Sequence, residues 1–135
     1  MEFPCSEVDS AYCQVSENLH DLLEAHSSHN HNDVCLSYVF TFQHLSDSTL
    51  GLAWTANPGK ADEGGVCARF HQKDSQADWQ SHNTGVVNFA YNLRELPQSV
   101  AQLAFAHEIG HSFGSPVSRY KIGFLLEIVK TQIAA

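Results

Sequence analysis

Histidine and glutamate recur at a spacing that suits metal chemistry in the last third of the sequence. The segment reads His107-Glu108-Ile109-Gly110-His111. In a helix, residues four apart lie on one face, about 6 Å from each other, so both imidazoles can bind one Zn²⁺. Glu108 can then take a proton from a zinc-bound water, whose pKa falls to about 7. The spacing predicts zinc as the cofactor and hydrolysis of a polarised carbonyl as the chemistry.

The residues after this motif agree only in part with a complete zinc site. Gly114 follows His107 at the spacing of the longer pattern HExxHxxGxxH, which is typical of metzincin peptidases. The glycine of that pattern lets the chain turn so that a third histidine returns to the metal. The third position here is Val117, which cannot bind zinc. Glu127 could replace this histidine as the third ligand. The favoured interpretation is that Glu127 is a solvated carboxylate on a helix.

The motif has to lie on a helix, and its flanking residues predict one from Pro97 to about Phe113. Proline is favoured in the first turn of a helix, while Gly114 and Pro116 are typical of the residues that follow its end. Two further segments read as helices. Leucines at one helical face predict a helix over 17–25, and Ile122, Leu125, Leu126, Val129 and Ile133 predict an amphipathic helix in the tail. The tail helix faces a core, a partner or a membrane surface.

Three apolar segments predict strands upstream of the motif helix. Residues 34–42 predict a mostly buried strand, and residues 49–55 a second one in which Gly51 marks a close approach or a bulge. Residues 85–91 predict the third strand. Residues 26–33 between the first helix and the first strand are polar and predict a loop. Strands combined with helices in this order indicate an α/β or α+β fold.

Composition restricts the classes of partner. A chain of 135 residues with 43% hydrophobic residues suits one folded domain. The formal net charge of -8 argues against nucleic acid or an anionic membrane surface as the main partner. The sequence has no run of 18 apolar residues, so it predicts no transmembrane segment. Its first residues lack the basic and apolar regions of a signal peptide.

Cysteines and the remaining histidines and tryptophans leave alternatives open. Cys5, Cys13, Cys35 and Cys67 do not form a CxxC zinc motif, so four separate thiols and a partial disulfide set remain equally open. The histidines at 26, 29 and 31 are either solvated loop residues or an adventitious metal site. Trp54 and Trp79 are both candidates for contact with a substrate. A core or rim anchor is the favoured interpretation of Trp54, and nothing decides the role of Trp79.

Four stretches of the sequence together resemble one known family. Residues 105–116 resemble the active-site helix of the disintegrin-and-metalloproteinase family, most closely its Kuzbanian or alpha-secretase branch. Residues 30–40, 50–54 and 83–87 are similar to the same branch in order and spacing. The likeness covers roughly residues 17–116.

The resemblance implies a zincin-like fold of the α/β (α+β) class, with a twisted mixed sheet above the active-site helix. It divides the chain into an irregular segment 1–16, a partial metalloproteinase catalytic domain 17–116 and an unrelated tail 117–135. His107 and His111 would bind Zn²⁺, and Glu108 would be the catalytic base. The edge strand that binds an extended substrate would contain the following residues: Leu50, Gly51, Leu52, Ala53 and Trp54.

Family members are membrane-anchored peptidases of the secretory route and the cell surface. They cleave protein substrates such as the ectodomains of cell-surface proteins, including Notch-type receptors. The match stops at Pro116, which leaves out the third histidine, the Met-turn and the lower subdomain and predicts an impaired enzyme. The alternative is a non-catalytic fragment or splice form that binds a substrate or partner. The family partners of Cys35 and Cys67 lie outside this stretch, which favours free thiols.

Overall fold

The computed structural model describes residues 18–43, 45, 49–57, 59–60, 64–72, 75–91 and 93–115. The predicted N-terminal segment 1–16, the tail 117–135 and Val117 lie outside these residues. The elements in chain order are as follows: α1 (Leu19–Ser27), β1 (Ser37–Thr41), β2 (Gly51–Ala53), β3 (His71–Gln72), β4 (Trp79–Gln80), β5 (Thr84–Asn88), β6 (Ala90–Tyr91), β7 (Arg94–Glu95) and α2 (Gln98–Ser112).

A small mixed sheet forms the centre of the described fold. Its strand order is β1-β5-β2, with β1 parallel and β2 antiparallel to β5. Every residue of β5 is buried. Successive side chains of a strand point to opposite faces, so Val86 packs with α1 while Val87 packs with α2. The sheet lies between the two helices, which confirms a mixed α/β class.

The first helix begins where its cap forms. Asn18 accepts a hydrogen bond at its side-chain oxygen from the backbone N–H of Asp21, at 3.0 Å. Leu19, Leu22 and Leu23 are buried, as their helical spacing predicts. The helix continues to Ser27, however, so the predicted loop over 26–33 begins too early and His26 is helical.

The second helix lies on the opposite face of the sheet. Val100 and Ala104 are 0% and 3% exposed and pack in one cluster with Leu50, Val87 and Leu96. The predicted start and end agree with Gln98–Ser112 to within a residue. Within the described ranges, no helix has the length and apolar character needed to cross a bilayer.

Burial of the first strand is the main difference between the predicted and observed sheet. The prediction of a mostly buried strand over 34–42 is wrong, because Val34, Phe40 and Phe42 are 45%, 46% and 58% exposed. In the described part of the chain, β1 pairs with β5 alone, so one side of the strand lacks a neighbour there. The predicted strand 85–91 is interrupted at Phe89, after which β6 pairs with β7.

The cysteines also differ from the expectation. Cys35 and Cys67 form a disulfide, so the interpretation that their partners lie elsewhere is wrong. The backbone N–H of Cys67 also donates to the Cys35 carbonyl at 2.7 Å. The two residues are 32 apart in sequence, and only the folded chain brings them together.

Replacing this disulfide should destabilise the fold substantially. A cross-link over 32 residues restricts the unfolded chain, so Cys35→Ser with Cys67→Ser should lower the free energy of unfolding by about 3–4 kcal/mol. Urea unfolding measures the loss. A non-reducing peptide map should join the peptides that contain residues 35 and 67. Pairing of either with Cys5 or Cys13 would contradict the assignment.

Candidate active site

The two motif histidines lie one turn apart in the second half of α2. The ring centroids of His107 and His111 are 5.0 Å apart with an angle of 80° between the ring planes. Both side chains are partly exposed. Nδ1 of His111 lies 3.5 Å from the Thr55 hydroxyl, so metal binding by His111 would use Nε2. The pair can therefore meet a ligand from solvent.

Glu108 lies on the buried side of the same helix. It is 5% exposed, and its carboxyl group lies against the backbone of Gly51 in β2. Burial disfavours the charged carboxylate and raises the pKa of Glu108 to about 7. The close approach predicted at Gly51 is thus confirmed, and the group that approaches is Glu108.

The end of α2 is closed by a glycine-dependent cap. Gly114 has φ +83°, the left-handed conformation that glycine adopts without a steric penalty. Its N–H donates to the His111 carbonyl at 2.8 Å, and the N–H of Ser115 donates to the Gly110 carbonyl at 2.9 Å. These two bonds form a Schellman motif. The chain turns away directly after the second histidine.

Two loops supply further donors to the same helix end. The N–H of Ala56 donates to the His111 carbonyl at 3.0 Å, and that of Val66 donates to the Ser112 carbonyl at 2.8 Å. The last carbonyls of a helix have no partner within it, so these loop donors satisfy them. The loop after β2 and the loop that contains Cys67 therefore fix the histidine-bearing turn.

Tyr38 connects the first strand to this turn. Its hydroxyl shares a hydrogen bond of 2.7 Å with the hydroxyl of Ser112, which is 1% exposed. Burial raises the pKa of Tyr38 to about 12; the Ser112 bond opposes this shift, and the nearby Glu108 carboxylate adds to it. Neither residue type nor spacing marks Tyr38 or Ser112 in the sequence, so their contact could not be predicted.

The donor set fits zinc in type and spacing but is incomplete among the described residues. Two imidazoles on one helical turn are suitable ligands. No group of three His, Cys, Asp or Glu residues within residues 18–115, as far as these are described, is arranged to hold a metal ion. Val117 and Glu127, the two positions considered for a third ligand, lie outside the described residues.

The predicted substrate strand lies at the edge of the three-stranded sheet. Gly51 and Ala53 pair with Val87 and Gly85 of β5. Leu52 and Trp54 pack in the cluster beneath α1, and the Trp54 indole N–H donates to the Ser27 hydroxyl at 2.9 Å. Leu50 is buried on the α2 side. The side chain of Trp54 is therefore an anchor, whereas the strand's backbone lies beside Glu108.

The histidines at 26, 29 and 31 form a second group, in which His26 stabilises the fold. His26 is 4% exposed, and its ring centroid lies 4.4 Å from that of His31. Nε2 of His26 lies 3.1 Å from the Ser37 hydroxyl, which ties the end of α1 to β1. The interpretation of three solvated loop histidines is therefore wrong for His26.

Trp79, whose role the sequence leaves open, is 52% exposed, and the centroid of its ring lies 5.4 Å from that of Phe70.

Comparison with known proteins places this site in context. Residues 3–118 match the model of the metallo-peptidase family M12B, reprolysin-like. The chain is 37% identical over 115 residues to a Caenorhabditis elegans homolog of disintegrin and metalloproteinase domain-containing protein 10. It is 43% and 42% identical over 94 residues to the proteins of that name from Xenopus laevis and Homo sapiens. These matches cover 82%, 70% and 70% of the chain and 12% of each relative.

Removing the Tyr38 hydroxyl should loosen the histidine-bearing turn. Tyr38→Phe leaves the buried Ser112 hydroxyl without this partner and should lower the free energy of unfolding by about 1 kcal/mol. Ser112→Ala should cost a similar amount, and the double variant should cost less than the sum. Chemical denaturation of the four proteins measures the coupling. Strict additivity would show that the contact contributes nothing.

Acid should weaken the fold through His26. Burial, then the charge of His31 and, less, of His29 lower the pKa of His26 to about 4, against the opposing backbone bond to Ser37. Below about pH 6.5 the unfolded chain binds a proton at residue 26 that the folded chain does not, so the contribution of His26 to the free energy of unfolding should fall by about 3 kcal/mol on reaching pH 4. The raised pKa of Glu108 acts in the opposite direction over the same range.

Urea unfolding from pH 7 to pH 4 measures this dependence. The difference in free energy of unfolding between His26→Gln and the unaltered protein should change by about 3 kcal/mol over this range, whereas His20→Gln should not change the pH dependence, because the side chain of His20 is 70% exposed. Identical pH dependence in His26→Gln and the unaltered protein would contradict the assignment.

Proposed function

The chain belongs to the reprolysin-like M12B metallopeptidase family, and we propose that it forms part of the catalytic domain of a zinc-dependent endopeptidase. His107 and His111 bind the metal in this proposal, and Glu108 is the catalytic base. The observation that carries it is the placement of all three side chains on two turns of α2 beside the edge strand β2.

Each residue has a separate task in the proposed reaction. His107 and His111 would hold the metal, which when bound would polarise the substrate carbonyl and lower the pKa of a bound water. Glu108 accepts the proton of the attacking water and returns it to the leaving amine. Its nearly complete burial against β2 limits the positions that the carboxylate can occupy, and a fixed geometry is what proton transfer requires.

The substrate is an extended peptide in this proposal. An edge strand offers unpaired backbone groups, to which a peptide can add as a further strand. The backbone from Leu50 to Trp54 is suited to this role because Gly51 lies next to Glu108. The proposal includes a zincin-like arrangement, in which the sheet lies above α2 and the peptide lies along the outer edge of β2.

Protein substrates at the cell surface are a further part of the proposal. The Cys35–Cys67 disulfide supports a secretory or extracellular location, because disulfides persist in oxidising compartments. We extend the proposal to the cleavage of cell-surface ectodomains, Notch-type receptors among them.

The proposal also divides the chain. The catalytic part is residues 17–116, with 117–135 as a separate tail. The family match ends at residue 118, which supports this second boundary, but it begins at residue 3, upstream of the first.

A second candidate function is peptide binding without cleavage. The observation that favours it is the number of metal ligands at the motif. His107 and His111 have no third ligand among the described residues, and residue 117 is valine. Two protein ligands bind zinc more weakly than the three that catalytic sites use. The edge strand would still bind an extended peptide in that case.

Zinc content and peptidase activity of variants distinguish the two functions. The purified chain should bind one Zn²⁺, and His107→Ala or His111→Ala should abolish binding. Glu108→Ala should retain zinc but lower kcat on a quenched peptide by at least about a hundredfold, because it removes the general base. His20→Ala and Glu95→Ala, at exposed positions, are the matched controls and should behave as the unaltered chain.

Either of two results would contradict the enzyme proposal. A folded chain that binds no zinc, or one that binds zinc and cleaves no peptide, would support the binding function instead. Activity that survives Glu108→Ala or a chelator would show that another site is responsible.

A further inference from the structure

The backbone of β2 passes so close to Glu108 that no side chain fits between them. A Cβ atom placed on Gly51 would lie 2.6 Å from Cγ, 2.7 Å from Oε1 and 2.8 Å from Cδ of Glu108. Cβ atoms do not approach heavy atoms so closely without a shift of one partner. The space that Gly51 leaves vacant is therefore occupied by the Glu108 carboxyl group.

We propose that Gly51 is a positioning residue, whose missing side chain forms the seat in which the Glu108 carboxylate is held. This inference rests on the proposed role of Glu108 as the base. It assigns to Gly51 a steric role toward Glu108 that is distinct from the pairing of the β2 backbone with a peptide. A side chain at residue 51 displaces the carboxylate and leaves the two histidines in place.

The surroundings decide which partner gives way. Gly51 is fixed from behind, because it pairs with Val87 in the buried strand β5. The backbone of α2 is fixed by the bonds to its last carbonyls from Ala56 and Val66. The side chain of Glu108 can rotate about its own bonds, so it is the group that moves.

Displacement of the carboxylate should affect catalysis more than folding. A misplacement of about 1 Å at a reacting group can lower a rate about a hundredfold. The carboxyl group of Glu108, a residue that is 5% exposed, would leave its buried site and move toward solvent. The imidazoles of His107 and His111 do not lie among the nearest atoms to the added Cβ, so zinc binding should persist.

The test compares two glycine-to-alanine variants of the full chain. Gly51→Ala should lower kcat on a quenched peptide about a hundredfold, with KM within about twofold and zinc content unchanged. Gly59→Ala is the matched control, because its Cβ would meet only Asn57 Oδ1 at 3.5 Å, and it should change neither constant. A rise in KM at unchanged kcat would overturn the inference, since it would assign Gly51 to peptide binding.

A second readout does not depend on activity or on metal. In protein labelled with ¹³C at glutamate carboxyl groups, the Glu108 signal is identified by its loss in Glu108→Gln. At one fixed pH, Gly51→Ala should shift this signal toward those of exposed glutamates, and Gly59→Ala should not. If the unaltered chain cleaves no peptide, the proposed function fails, and the position of this signal alone decides the inference. A signal that stays in place in Gly51→Ala overturns it.

Failure of Gly51→Ala to fold would also be informative. The Glu108→Ala change removes the atoms that the new Cβ meets. The double variant should then regain the thermal stability of Glu108→Ala alone. A double variant as unstable as Gly51→Ala would show that the clash lies elsewhere and would overturn the inference.

Discussion

The carbonyl groups in the last turn of α2 need hydrogen-bond donors from outside the helix, and this requirement determines where the candidate active site lies. The His111 carbonyl receives the N–H groups of Gly114 and Ala56, and the Ser112 carbonyl receives that of Val66. These bonds join the helix end to the loop after β2 and to the loop that precedes β3. The edge strand and the histidine-bearing turn are thereby held in one arrangement.

The remaining structure supports this helix end from two directions. The Cys35–Cys67 disulfide holds the loop whose Val66 donates to α2, and Tyr38 in β1 bonds to Ser112. Beneath them, β5 is buried along its whole length and packs against both helices. Glu108 is buried on the side of α2 that faces β2, and its carboxyl group lies against the backbone of Gly51.

Regular periodicity in the sequence predicted the elements that carry the site. The helical spacing of its leucines predicts α1, and apolar composition predicts β5. The glycine after α2 predicts the end of that helix, because glycine favours the left-handed cap. The short pairs β3–β4 and β6–β7 were missed, because two-residue strands have no recognisable period. The exposure of Phe40 could not be predicted either, since it depends on which strand lies at a sheet edge.

Long-range contacts were the other features that the sequence did not reveal. The disulfide joins residues 32 apart, and the bond from Tyr38 to Ser112 joins residues 74 apart, so no local pattern marks either pair. The polar neighbours of His26 predict a loop there, whereas α1 continues through His26 to Ser27 and the His26 ring contacts Ser37 of β1. The glycine at residue 51 predicts a close approach, but nothing in the sequence identifies Glu108 as the partner.

X-ray absorption at the zinc edge tests most directly the proposal that His107 and His111 bind one Zn²⁺ together. Zinc added to the purified chain should show two imidazole nitrogens at about 2.0–2.1 Å, and this signal should disappear in His107→Ala with His111→Ala. Zinc that keeps the same imidazole ligands in the double variant would lie elsewhere, and the account of the site would be wrong.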